Sequence, residues 1–324
     1  MRRTLFDRKI GKGITRPPGN LEIYSDAGFR AFSIFCAWSI ILLILFILWM
    51  IGKQAVPAME KYGFGFLTGT TWDVNKQQFA VLPEIWGTLY SSILALIGGG
   101  TLGIAIAIFL TENFIHDRLA QAFRITVELL AAIPSVVYGL WGIYVLIPLL
   151  RPVAHWLHEH FSWIPFFQTE LSGPGLAPAA VVLAVMILPT VAAISVDAFR
   201  QIPAKVKEAT YGMGTTRAEA IFKVLLPTAS SGLLAALVLG FGRALGETMA
   251  LAMLIGNSNQ ISLSWFSPAN TLASLMASSF PEAGGIEVQA LMFAALVLLL
   301  ITFLVNLGGL YIQQVTMRKF EGVK

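Results

Sequence analysis

Six long runs of apolar residues are the feature that most constrains how this chain can fold. A helix needs about 20 apolar residues to cross the hydrocarbon core of a membrane, and each run reaches that length. The runs are continuous rather than alternating with a period of two, which indicates helices and excludes a transmembrane barrel. The runs are Ala31–Ile51, Ile85–Leu110, Leu129–Leu150, Leu176–Val196, Thr228–Gly256 and Val288–Met317.

The composition agrees with a chain that lies mostly in a membrane. Only 12% of the 324 residues are charged and 56% are hydrophobic, whereas a soluble domain carries about 25% charged residues. The single cysteine, Cys36, excludes a disulfide framework and a cysteine-based metal site. The sequence therefore predicts an all-α polytopic membrane protein with six transmembrane helices.

The basic residues predict the orientation of these helices. Of the 22 lysines and arginines, 17 fall in the two termini and in the second and fourth loops. The positive-inside rule then places both termini in the cytoplasm, and the net charge of +4 marks a membrane face rather than a nucleic-acid site. The predicted segments are a basic cytoplasmic tail over 1–30, a first transmembrane helix over 31–52, a periplasmic loop over 53–84, a core of five transmembrane helices over 85–317 and a cytoplasmic tail over 318–324.

One cytoplasmic loop is polar and yet rich in helix-forming residues. Arg200–Pro227 is too short of apolar residues to span a membrane. Pro203 is expected to open a short helix, Gly212 and Gly214 to interrupt it, and Leu226-Pro227 to end a second helix. We expect the two helices to lie on the cytoplasmic face, resting in the interface or inserted into a groove of a partner.

The spacing in this loop resembles that of a known family. The residues Glu208-Ala209-Thr210, then Gly214, then Val224-Leu225-Leu226-Pro227 are similar to the EAA loop of binding-protein-dependent ABC importer permeases, with Thr210 in place of alanine and Val224 in place of isoleucine. The resemblance implies a type I ABC importer permease fold, in which residues 203–227, here called the EAA loop, dock on a separate ATPase. The residues to which it assigns this role are Glu208, Ala209, Gly214, Leu226 and Pro227.

The chain carries no ATP-binding motif of its own. The pattern G-x-x-x-x-G-K-[ST] is absent from the sequence. ATP and magnesium are therefore expected on a partner ATPase, with no cofactor and no metal ion bound by this chain.

Two charges, Arg243 and Glu247, stand inside the fifth apolar run. Each costs about 2.5–3.5 kcal/mol in the middle of a membrane, so both are expected to face a protein interior or a wet path. Because they are four residues apart, a continuous helix would place them on one face. They could form a buried pair that fixes helix packing. Alternatively, the Arg243 guanidinium could bind an oxyanion, with Glu247 holding the arginine or donating a proton.

The residues around these charges carry a second resemblance. Gly242-Arg243-Ala244-Leu245-Gly246-Glu247-Thr248-Met249-Ala250, and also the segment Glu128–Gly139, resemble the membrane subunits of the phosphate-specific ABC importer, of the PstC type rather than the PstA type. The resemblance implies a phosphate pathway through Arg243 and Glu247 that opens to each side of a bacterial inner membrane in turn. It also implies three partners: a second, PstA-like permease, a dimeric PstB-like ATPase and a periplasmic PstS-like phosphate-binding protein.

Three other functions fit parts of the sequence. An importer of another tetrahedral oxyanion, such as sulfate or molybdate, would use the same residues. A proton-coupled carrier would use Glu247 as its proton site, but the intact EAA spacing and the missing inverted repeat argue against it. An intramembrane enzyme is disfavoured because no nucleophile–base or metal constellation is present.

Overall fold

The computed structural model describes residues 20–112 and 114–321. Most of the predicted basic tail over 1–30 and the last residues of the tail over 318–324 lie outside this part of the chain. The helices are α1 (Asn20–Tyr62), α2 (Gly65–Thr68), α3 (Leu82–Ala95), α4 (Thr101–Thr111), α5 (Asp117–Ala132), α6 (Ser135–Trp141), α7 (Ile147–Phe161), α8 (Leu176–Arg200), α9 (Ala204–Gly212), α10 (Arg217–Glu219), α11 (Leu226–Leu245), α12 (Met249–Leu254), α13 (Leu272–Ser279) and α14 (Ile286–Glu321). A short hairpin pairs β1 (Trp72–Asp73) with β2 (Gln78–Phe79), and a single 3₁₀ turn covers Pro165–Phe167.

Six helices in the described residues are long and apolar enough to cross a membrane, which confirms the predicted number. We number them span 1 to span 6 in chain order. They are Ile23–Tyr62, Leu82–Thr111, Ser135–Phe161, Leu176–Arg200, Arg217–Leu245 and Ile286–Thr316.

Spans 1, 3 and 5 begin well away from the starts of their apolar runs. The third run was predicted to begin at Leu129, but Ile133 leaves the helical conformation before Pro134, and span 3 starts at Ser135. The preceding residues form the separate helix α5, because a residue before proline is driven out of the helical region. The fifth run was predicted to begin at Thr228, but span 5 already starts at Arg217.

The chain divides into two units, residues 1–50 and residues 51–324. In the first unit, the described residues belong to α1, and none of the side chains over 23–50 is buried. Helix α1 is longer than the predicted 31–52 segment, because it starts at Asn20 and reaches Tyr62. A helix that is apolar on all sides and unburied within its own chain suits contact with lipid or with another subunit.

In the second unit, span 4 is the most deeply buried of the spans, with 61% of its 18 most apolar consecutive residues buried. Span 2 packs along it, and glycines on span 2 allow the two helices to approach closely. A Cβ at Gly99 would collide with the carbonyl oxygen of Ala184, and one at Gly103 would lie 2.9 Å from Val191. Small residues let helix backbones approach in a membrane, where close packing drives association.

Three spans contain a wide π-helical turn among the described residues. These turns are Leu96–Gly100 in span 2, Gly142–Leu146 in span 3 and Ala220–Leu225 in span 5. The second and third end just before Pro148 and Pro227. Proline has no N–H for the helical ladder and clashes with the preceding turn, and π geometry at the preceding turn accommodates both.

The two ends of this unit carry different structural elements. One end, here called the basic end, carries Glu112, helix α9 and the start of span 5, over an apolar cluster that includes Phe199 and Leu225. The opposite end holds the hairpin, helix α13 and the loop over 256–271. In the hairpin turn, the Asp73 carboxylate accepts the backbone N–H groups of Asn75 and Lys76 at 2.9 and 3.0 Å, and the bond from Lys76 is the main cause that lowers the pKa of Asp73.

Candidate functional site

The helix that carries Arg243 is broken where the sequence predicted continuity. Helix α11 ends at Leu245, Gly246 caps it, and helix α12 begins only at Met249. Glu247 therefore does not follow Arg243 by one helical turn. No ion pair joins the two side chains in the described part of the protein. The expectation of an intrahelical pair on one face was wrong, because Gly246 ends the helix between the two residues.

Arg243 lies at the middle depth of the bundle. Its Nη1 donates a hydrogen bond of 2.9 Å to the hydroxyl of Thr190 on span 4. Thr190 is 10 residues from one end of that helix and 14 from the other, which is about 15 and 21 Å at 1.5 Å per residue. The arginine side chain is exposed in the single chain. Thr190 uses one of its five N–H donors, and the rest of the guanidinium is open to a ligand.

Glu247 contacts the helix that follows the break, and its place in a phosphate pathway stays a prediction. Its Oε1 accepts the backbone N–H of Ala250 at 3.4 Å, in the first turn of α12. A carboxylate at this position satisfies an N–H that has no partner within the helix. Glu247 is half-buried, and it stabilises the break in the fifth membrane segment rather than neutralising Arg243.

The EAA loop places its first three assigned residues at the surface of the basic end. Glu208 and Ala209 lie on helix α9 and are exposed. Gly214 follows in a turn with φ of +79°, a conformation that glycine adopts without the steric penalty of a Cβ. Its Cβ position faces open space. These three residues are free to contact a partner.

Leu226 and Pro227 lie inside span 5, and the expectation that they end a separate helix was wrong. Thr216 begins this helix with a capping box, in which its hydroxyl accepts from the Glu219 N–H and the Glu219 carboxylate accepts from the Thr216 N–H. The helix then continues from Arg217 through the π turn into α11. Leu226 packs against the apolar cluster at the basic end.

A buried carboxylate joins the EAA loop to span 2. Glu112, the residue after span 2, is 8% exposed, and its Oε1 accepts from Lys207 Nζ at 2.6 Å. Tyr211 donates its hydroxyl to Oε2 of the same carboxylate at 3.5 Å. Burial, and next the negative charge of Glu112, raise the pKa of Tyr211.

A second carboxyl group is buried at the opposite end of span 2. Glu84 in the first turn of α3 is 0% exposed. Neither of its side-chain oxygens has a hydrogen-bond partner among the described residues. The helix here is pressed against the loop before α13, since a Cβ at Gly87 would collide with the backbone of Asn270, and the Thr88 hydroxyl accepts the N–H of Leu272 at 3.0 Å.

Sequence reasoning missed several of these residues. Thr190 and Glu112 carry no motif, and their partners are 53 and 95 positions away in the chain. Met213 and Phe222 on the EAA loop are 84% and 69% exposed, so they offer apolar contact area to a partner. Only the folded loop shows that these two apolar side chains lie on the exposed side of their helices and not in the core.

Comparison with known proteins decides the family. Residues 99–319 match the binding-protein-dependent transport system inner membrane component family. The chain belongs to this family. It is a multi-pass membrane protein and a transport permease rather than an enzyme, as the sequence predicted.

Curated relatives extend over most of the chain. It is 38% identical to the phosphate transport system permease protein PstC of Pasteurella multocida, over 91% of this chain and 93% of the relative. It is 40% identical to PstC of Haemophilus influenzae, over 76% and 80%, and 34% identical to the probable PstC of Methanocaldococcus jannaschii, over 87% and 92%. The resemblance to PstC-type permeases is thereby confirmed.

Solved structures show the same fold. A chain of a bacterial ABC transporter involved in the import of the polysaccharide alginate aligns with a TM-score of 0.60 at 15% identity, over 91% of this chain and 99% of that one. A chain of the inward-facing MetNI methionine ABC transporter aligns with a TM-score of 0.56 at 20% identity, over 73% and 95%. The predicted type I ABC importer permease fold is confirmed.

Proposed function

We propose that this chain is the PstC-like permease subunit of an ATP-driven phosphate importer in a bacterial inner membrane. It forms part of a transmembrane phosphate pathway that opens to each side in turn. A PstA-like permease completes the pathway, a dimeric PstB-like ATPase supplies the energy, and a periplasmic PstS-like protein delivers phosphate. The names and coverage of the curated relatives support this assignment.

The observation that carries the proposal is the exposed guanidinium of Arg243 at mid-depth. A permanently charged group facing lipid there would be costly, so its face is covered by a second subunit or lines a wet path. Its one described partner, the Thr190 hydroxyl, is neutral, which leaves the positive charge uncompensated. A planar guanidinium with free donors suits bidentate binding of a phosphate anion.

The EAA loop supports the coupling to ATP hydrolysis. Its exposed residues Glu208, Ala209 and Gly214, together with the apolar side chains of Met213 and Phe222, form the surface that docks on the ATPase. The positive-inside rule places this basic end in the cytoplasm with both chain termini. ATP and magnesium bind to the ATPase partner, and this chain binds no cofactor.

Replacing Arg243 tests the pathway. In proteoliposomes that contain the whole transporter and its binding protein, Arg243→Gln is expected to lower phosphate uptake about 10- to 100-fold, because hydrogen bonds to charged groups contribute about 1.5–3 kcal/mol. Co-purification of the ATPase should not change. Arg151→Gln is the matched control, since Arg151 donates to the Ser172 carbonyl away from the pathway. Normal uptake by Arg243→Gln would refute the role of Arg243.

The same vesicles separate the remaining alternatives. Competition by sulfate or molybdate stronger than that by unlabelled phosphate would identify that oxyanion as the substrate instead. Uptake driven by a proton gradient without ATP or partners would identify a carrier instead, with Glu247 as its proton site.

A further inference from the structure

Two residues just beyond the end of span 2, Glu112 and Phe114, contact the two halves of the EAA loop. Glu112 contacts helix α9, which forms the first half, and Phe114 contacts Arg217, which begins the second half. No motif in the sequence assigns a role to Glu112 or Phe114. The end of span 2 is therefore attached to the EAA loop on either side of the turn at Gly214.

The contact to the first half is short, polar and sheltered. The side chains of Glu112 and Lys207 are 5% and 25% exposed, and their charged atoms are 2.6 Å apart. Tyr211, one helical turn after Lys207, reaches the other carboxylate oxygen. One carboxylate therefore accepts from two successive turns of α9, which fixes the helix in position along its axis. Removal from water strengthens such a charged hydrogen bond.

The contact to the second half is a cation–π interaction. The Arg217 guanidinium lies 5.7 Å from the centre of the Phe114 ring. Phe114 itself stacks on Phe109 in the last turns of α4, with ring centres 6.2 Å apart and planes 10° from parallel. This arrangement connects the first turn of span 5 to span 2 through two aromatic rings.

Span 2 continues from these contacts to the neighbourhood of Arg243. Gly103 lies against Val191 on span 4, and Val191 follows Thr190, the hydrogen-bond partner of Arg243. The Val191 side chain packs directly on the span 2 backbone at Gly103, where span 2 has no side chain of its own. Closely packed helices transmit a displacement because they compress little.

We infer that Glu112 is a positioning residue that makes span 2 follow the EAA loop, so that movement of the loop by the ATPase changes the surroundings of Arg243. The inference rests on the proposed function. Apolar packing of Val206 also holds α9 to the bundle, but apolar contact is non-directional. The ion pair with Lys207 supplies the directional link.

The experiment measures the number of phosphate ions imported per ATP hydrolysed by the complete transporter in proteoliposomes. Glu112→Gln and Lys207→Met are each expected to lower this ratio about 5- to 150-fold, the range of typical coupling between sites. ATP hydrolysis and co-purification of the ATPase should persist. The exchanged variant Glu112→Lys with Lys207→Glu restores the pair in reverse and is expected to return the ratio to within about twofold of the wild type.

Lys205→Met is the matched control, because Lys205 lies on the same helix, is exposed and makes no ion pair in the described part of the chain. Its ratio should equal that of the wild type. A normal ratio in Glu112→Gln, no recovery in the exchanged variant, or loss of ATPase assembly in the single variants would each overturn the role of Glu112. Failure of the wild type and Lys205→Met to import phosphate would instead overturn the proposed function.

Discussion

Span 2 has a buried glutamate at each end, and the two are held very differently. Glu84 at the opposite end is fully enclosed without a hydrogen-bond partner for either carboxyl oxygen among the described residues. Glu112 at the basic end is almost as deeply buried but forms an ion pair with Lys207 and accepts from Tyr211. The same residue type thus serves packing at one end and attachment at the other.

The difference shows which end of the span can pass on a movement. A charged hydrogen bond with fixed geometry resists sliding of one element past another, so α9 and span 2 move together. Around Glu84 the contacts are steric and neutral, as at Gly87 against Asn270. We therefore expect changes at Glu84 to affect stability and changes at Glu112 to affect coupling.

The largest expected effect follows from a cation at Glu84. Glu84→Lys buries an ammonium group with no described anion beside it, and an uncompensated buried charge costs about 3–5 kcal/mol. The variant should show a much lower thermal unfolding midpoint in detergent and a low yield of assembled transporter.

Glu84→Gln is the control for this change, because it keeps the shape and removes no ion pair. It should differ little from the wild type in thermal midpoint and in phosphate imported per ATP. A loss as large as that of Glu84→Lys would mean that the carboxyl group has a specific partner, and the contrast between the two ends of span 2 would fail.

A smaller effect is expected from the turn in the EAA loop. Gly214→Ala forces a Cβ into a left-handed conformation, which costs about 1–2 kcal/mol, while the added methyl meets no neighbour. The strain should loosen α9 and lower co-purification of the ATPase. Gly212→Ala, at the helical end of α9, should instead be neutral or stabilise by up to about 1 kcal/mol.

Equal behaviour of these two alanine variants would show that the turn adds no rigidity. In that case only the contacts of Glu112 and Phe114 just beyond span 2 would fix the position of the EAA loop. The role assigned to Glu112 would then be larger.

The smallest expected effect is a change in the titration of Tyr211. Burial and the Glu112 charge raise its pKa above the ordinary value of about 10. A pKa raised by folding contributes stability that is complete below the ordinary pKa and is lost as pH rises through the folded value. The absorbance titration of the wild type minus that of Tyr211→Phe should isolate this phenol above its ordinary range.

The same difference titration in a Glu112→Gln background should shift towards the ordinary value, because the Glu112 charge, one of the causes that raise the pKa of Tyr211, is gone. An unchanged titration curve would mean that the Glu112 carboxylate is too far from Tyr211 to affect its pKa. It would contradict the structure in which both Lys207 and Tyr211 of α9 contact Glu112.

The number of spans was predictable because apolar length is a property of the sequence itself. The ends of the helices were less predictable. The third apolar run places Pro134 within a helix, although the residue before a proline disfavours the helical conformation. Pro227 was read as the end of a helix, but the preceding π turn accommodates it. Such local widening depends on packing that no single-sequence pattern records.

The candidate site was predicted in part. The motif identified Arg243, Glu247 and the EAA loop, whose functional roles remain predictions. Their arrangement was not predictable, because Gly246 inside an apolar run gives no clear sign of a break. Glu112 and Lys207 are 95 residues apart, and only the folded chain shows that one charge compensates the other.

The π turn over Ala220–Leu225 lies between Gly214 of the EAA loop and Arg243, within the helix that runs from Arg217 to Leu245. A π turn contains one residue more than an α turn. If it rewound to α geometry, the rest of span 5 would rotate by about 100° and shift by about 1.5 Å, the values for one residue of a helix. A guanidinium carried through that rotation would leave one wall of the pathway and face another, without any helix having to unfold.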